Sequence, residues 1–114
     1  MKRTSVVGIL CLVVGGALGL AQGKYIVYGH GNDSCGLWTS QRSPDPEKDE
    51  WPSRTSQAWV LGFVSGVGFE SPLTLTKTDT AGIRAWMDAY CAAHPLESIA
   101  RASAQLIAEL SNTR

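Results

Sequence analysis

The chain has 114 residues, 44% of them hydrophobic, and its 10 basic and 10 acidic side chains cancel. Phosphate recognition wants a basic face, so a chain without net positive charge leaves nucleic-acid binding unsupported. The length leaves room for one small domain.

The first segment is the layout of a secretory signal peptide. Lys2 and Arg3 supply a positive start, and the run from Val6 to Leu20 is apolar apart from glycines and carries no acid. With Gly8, Gly15, Gly16 and Gly19, it is too short and too glycine-rich for a helix that needs about 20 residues to cross a bilayer. Small residues fit cleavage after Ala21 or after Gly23, so residues 1–23 are set aside. Cys11 follows the bulky Ile9 and Leu10, which argues against a lipoprotein acceptor. Removing 23 residues leaves 91, with 8 basic and 10 acidic side chains and no stable membrane anchor expected. A chain of that size buries only about 60–65% of its unfolded surface, so a covalent staple would help.

Two cysteines remain, Cys35 and Cys91. In an exported protein they are expected to form a disulfide, because that compartment oxidises thiols. A C-x-x-C spacing, which would suggest redox or metal chemistry, is absent from the sequence.

Residues 24–33 read as a short flexible arm: a β-leaning start, then the turn-forming Gly29-His30-Gly31-Asn32. Residues 34–114 read as one helical domain. Asp33 or Ser34 caps a brief first helix carrying Cys35 and Trp38. Residues 43–53, with three prolines and a charge run of Asp45, Glu47, Asp49 and Glu50, read as a solvated loop that Trp51 anchors to the body. Ser53, Thr55 or Ser56 then caps a second helix, apolar on nearly every side and so expected at the centre of the fold. Gly62 and Gly66 lie on one face of it and predict a close-packing groove for another helix. Thr78 or Thr80 caps a third helix, in which Ile83, Trp86, Met87, Tyr90 and Cys91 recur at helical spacing. Arg84, Asp88 and Ala92 fall opposite them. A fourth helix is expected from Pro95, with Leu96, Ile99, Ala100, Ser103, Leu106, Ile107 and Leu110 as its buried stripe. The fold class is therefore all-α, a small bundle of about four helices with one disulfide. Trp59, Phe63, Trp86, Tyr90, Ile99 and Leu106 are the expected core.

No residue pattern points to catalysis. Ser65 sits in Gly62-Phe63-Val64-Ser65-Gly66, which is not a nucleophile elbow, and reads as a buried helical serine bonded to its own backbone. His30 and His94 lack ligands at metal-binding spacing, and His94 reads as a junction between two helices. No enzyme, metal or cofactor is expected.

Three segments in order resemble the HdeA/HdeB family of periplasmic acid-stress chaperones: Ser34-Cys35-Gly36-Leu37-Trp38, Ala58-Trp59-Val60-Leu61-Gly62-Phe63-Val64-Ser65-Gly66, and the run from Ile83 through Cys91 to Leu96. The likeness spans about residues 34–110. It implies an all-helical, one-disulfide domain, often a homodimer when idle, that loosens in an acidified periplasm and binds unfolding protein clients. Trp59, Phe63 and Val67 are the residues expected to meet a client or partner. The central helix and the Tyr90-to-Pro95 run also resemble small periplasmic immunity proteins of type VI secretion, which bind one cognate toxin effector. A structural envelope protein is the third expectation.

Overall fold

Helical structure begins where a serine can satisfy its first amides. In the computed structural model, which describes residues 26–112, Ser34 has extended backbone and its Oγ accepts from the Leu37 N–H at 3.1 Å. Four α-helices follow: α1 Cys35–Ser40, α2 Trp51–Glu70, α3 Thr80–Ala93 and α4 Ile99–Asn112. One-turn 3₁₀ segments occupy Gly29–Asn32 and Pro46–Lys48. The all-α, four-helix expectation holds. The signal-peptide reading, residues 1–23, lies outside the described residues.

Cys35 and Cys91 are bonded, with Cα atoms 4.6 Å apart and neither residue exposed. The bond ties α1 to α3 across 56 residues of sequence, a loop whose closure is worth about 4 kcal/mol in the chain-entropy model. Around it pack Trp38, Val60, Val64, Met87, Ile99, Ala102, Leu106, Ile107 and Leu110. Ile99 and Leu106 were expected there. Trp59, Phe63, Trp86 and Tyr90 are instead half-buried against its flanks. Each forms a stacked pair one turn apart, Trp59 on Phe63 at 5.2 Å and Trp86 on Tyr90 at 5.0 Å. Rings that stack along a helix cover the core's edge and cannot all point into its centre. Trp38 is the interior tryptophan, with its indole N–H donating to Asp88 at 2.7 Å.

Helix α2 starts before its expected caps. Glu50 occupies the cap position and Pro52 the first turn, where a missing N–H costs nothing. Ser53 and Ser56 are therefore inside the helix and buried, and Trp51 is 76% exposed rather than anchored. Only Ser53, Ser56, Val60 and Val64 are buried on α2, so it flanks the fold instead of forming its centre. No helix packs on Gly62 or Gly66, since a Cβ built at either meets nothing within 4 Å. Ser65 is exposed too, not buried. Two uncompensated glycines cost helix α2 about 1 kcal/mol each in propensity.

Asp79 caps α3, its Oδ1 accepting from the Gly82 N–H at 2.8 Å, in place of Thr78 or Thr80. Helix α4 starts at Ile99, four residues later than Pro95 suggested. The intervening carbonyls are used elsewhere: Cys35 N–H donates to Glu97 O at 2.7 Å and Gly36 N–H to Pro95 O at 2.9 Å, while Ile99 N–H donates to Asp33 O at 2.8 Å. This antiparallel clip between Ser34 and Ser98 holds the turn extended. Leu96, expected in the buried stripe, is 97% exposed, and the stripe runs from Ile99 to Leu110.

Candidate binding groove

Residues 26–28 precede the first 3₁₀ turn, with extended backbone at Tyr28, and lie against α2. Two side chains tie them there: Trp59 Nε1 donates to Tyr28 O at 2.7 Å, and Asn32 Nδ2 to Val27 O at 2.8 Å. Gly31 is buried beneath the indole, and a Cβ there would overlap the Trp59 ring and Val27. Gly29, at φ 74°, turns the chain into this position, a conformation that glycine adopts without a Cβ clash.

Between these residues, α2 and α4 lies an open groove of about 730 Å³. Its floor is small, with Ala58 and Gly62 from α2 and Ala100 and Ala104 from α4. Its walls are the stacked Trp59 and Phe63 and the side chains of Ile26, Val27 and Tyr28. Volume and apolar lining fall within the range of sites that take a small molecule or a few partner side chains. Of the residues expected to meet a client, Trp59 and Phe63 line the groove. Val67 lies a turn further along α2, half-buried against the core.

A polar assembly joins Arg42, Asp49, Arg84 and Asp88. Asp49 is buried, its side chain 1% exposed, and its Oδ2 accepts from Arg42 Nη1 and Arg84 Nη2, each at 3.1 Å. Oδ1 accepts from Ser43 N–H at 2.8 Å, and Gln57 Nε2 adds a bond to Oδ2 at 3.2 Å. Arg42 Nε also donates to Asp88 Oδ1 at 2.9 Å, and its guanidinium lies over the Trp38 ring. This clasp joins the loop after α1 to α2 and α3. It overturns two expectations: Asp49 is not part of a solvated charge run, and Arg84 and Asp88 do not simply face solvent. Their helical spacing, one turn apart, was the visible signal. Nothing local marked Asp49 apart from Asp45, Glu47 and Glu50.

His30 Nδ1 pairs with Asp33 Oδ2 at 2.8 Å, and His94 Nδ1 bonds Tyr90 O at 2.9 Å just past the end of α3. Tyr90 donates its hydroxyl to Glu97 Oε2 at 2.5 Å. That hydrogen bond, with burial and the Glu97 charge, raises the Tyr90 pKa above its ordinary value, against a lowering contribution from Arg101. Among the described residues, no three His, Cys, Asp or Glu side chains are placed to hold a metal, and no helix is long and apolar enough to cross a membrane.

Fold and groove together define a class: a four-helix, one-disulfide domain carrying an open apolar groove and a buried ionic clasp. Comparison of the chain with protein-family models, curated proteins and solved structures returns no match.

Proposed function

We propose that this protein is a non-enzymatic, acid-responsive chaperone of the bacterial periplasm, exported through its signal peptide and binding unfolding proteins through the Trp59–Phe63 face. The observation that carries the reading is the clasp, in which one buried carboxylate, Asp49, serves two guanidinium groups. Asp88 shares Arg42, and Arg54 Nε reaches the Asp49 backbone carbonyl at 3.0 Å. Loss of the Asp49 carboxylate charge in strong acid would leave Arg42 and Arg84 close together without their shared counter-charge. An uncompensated buried charge costs several kcal/mol, enough to loosen a small domain. The disulfide survives acid, so the helices would expand around a fixed tether with their apolar faces accessible.

The test compares the purified protein at pH 7 and at pH 2.5. Acid should abolish the near-ultraviolet circular dichroism, retain helix, induce binding of an apolar dye and keep an acid-unfolded client in solution. Replacing Trp59 and Phe63 by serine should weaken client protection. A protein that keeps its tertiary signal at pH 2.5 and protects nothing sinks the reading. The preformed shape of the groove would then favour the second reading, an immunity protein binding one secreted toxin at neutral pH. Its mark is a single tight complex with the product of a neighbouring toxin gene.

A further inference from the structure

A polar cleft of about 340 Å³ opens between the segment after α1 and helix α3, lined by Thr39, Arg42, Ser43, Pro44, Arg84 and Asp88. Two guanidinium groups share its wall, and both are fixed by the clasp. The Arg42 side chain is only 10% exposed, with the Trp38 ring 5.2 Å from one face of its guanidinium and with Nη1 bonded to Asp49 and Ser53. Among the described residues Arg84 donates only through Nη2, to Ser43 O at 3.2 Å and Asp49 Oδ2 at 3.1 Å, and its Nε is buried without an acceptor. Asp88 is the one carboxylate on the wall, its side chain 35% exposed, and it accepts from Arg42 Nε at 2.9 Å and from Trp38 Nε1 at 2.7 Å. Asp49, 1% exposed, bonds both guanidiniums but does not line the cleft.

Two guanidiniums and two carboxylates cancel, so the assembly carries no net charge while Asp88 is ionised. Without the Asp88 charge it carries one excess positive charge, and two planar donor groups with fewer acceptors than N–H donors face an opening. Guanidinium forks match the oxygens of an oxyanion, and side chains already held in place lose little entropy on binding one. We propose that this cleft binds a free tetrahedral oxyanion, sulfate or inorganic phosphate, between Arg42 and Arg84 in exchange for the charge of Asp88. In strong acid the bound anion replaces the lost counter-charge and holds the clasp closed, so the clasp responds to anions as well as to protons. The site follows from the geometry of the clasp and does not require client binding.

Amide chemical shifts of the isotope-labelled, oxidised chain, titrated with sodium sulfate at pH 7 and constant ionic strength, test it. Asp88→Asn keeps an acceptor for Arg42 Nε and presents the discharged site at neutral pH, where acid unfolding does not intervene. In that variant the amides of Thr39, Ser43 and Arg84 should shift saturably, with a dissociation constant of about 1–10 mM, and the parent should bind about tenfold more weakly. Chloride at the same ionic strength should have no such effect. Adding Pro44→Lys, at an exposed position on the wall, should tighten sulfate binding, and adding Arg84→Gln should remove it. In the parent, sulfate should move the acid transition in near-ultraviolet dichroism to lower pH than chloride does. Equal sulfate binding by parent and Asp88→Asn, an equal response to chloride, or shifts confined to residues away from the cleft would each overturn the proposal. Phosphatidylglycerol vesicles should leave these amides unshifted, because both guanidiniums are recessed, and a response to vesicles in place of free sulfate would overturn it too. A parent without an acid transition, beside an Asp88→Asn variant that binds sulfate, would remove the acid-chaperone reading and leave this site standing.

Discussion

Asp49 illustrates how little a side chain's own chemistry says about its role. It sits among four acids on a proline-rich loop, yet it alone is buried and shared by two arginines. Asp49→Ala should therefore cost about 3–5 kcal/mol, since it strands Arg42 and Arg84 near the interior. Glu50→Ala, at an exposed cap position without a side-chain cap bond, should stay within about 0.5 kcal/mol. Urea unfolding of both variants checks the contrast. Tyr90 yields a pH prediction. Its pKa is raised in the fold, so the neutral phenol is the form the native state favours. The associated stability is present below the unfolded tyrosine value of about 10 and is lost as pH rises through the folded one. Unfolding followed from pH 8 to 12 should show this alkaline loss in the parent and a smaller one in Tyr90→Phe. Equal slopes would remove the Tyr90–Glu97 bond from the account.

At the scale of elements, helix identity was legible and helix partnership was not. The 3.6-residue recurrence in α3 and α4 marked both helices, and their buried residues, Met87, Cys91, Ile99 and Leu106, lie on the stripes read from sequence. Met87→Ala should cost about 2–5 kcal/mol, as expected for a fully buried side chain. Leu96→Ser should leave the melting temperature nearly unchanged, because Leu96 projects into solvent from the turn before α4. The opposite order of effects would restore Pro95 as the start of that helix. For α2 the periodicity was uninformative. Its apolar residues surround the helix, and only packing decided that Val60 and Val64 face inward while Ala58 and Gly62 line a groove.

For the whole molecule, the staple dominates. Both sulfurs are shielded, so the folded protein should resist thiol reductants that cleave the bond readily in urea. Alkylation and mass analysis before and after denaturation measure the difference. Without the bond, stability should fall by roughly 2–4 kcal/mol, read from Cys35→Ser/Cys91→Ser. Rapid reduction under native conditions would mean that the core around α1 opens easily.

The sequence by itself determined the class, all-α with one disulfide, because helical periodicity and an unambiguous pair of cysteines are local or combinatorial facts. It placed Trp59 and Phe63 in the core, where the structure does not put them. Only the tertiary structure decided what those aromatics do: they stack on the flank of the core and frame the groove, and Gly31 beneath the indole is what admits them. It alone selected Asp49 from its neighbours and turned Arg84 and Asp88 toward it. Those outcomes depend on contacts between residues 31 and 59, 42 and 88, and 49 and 84. Such pairings carry no periodic signal, and they arise only when distant segments are brought together around the Cys35–Cys91 bond.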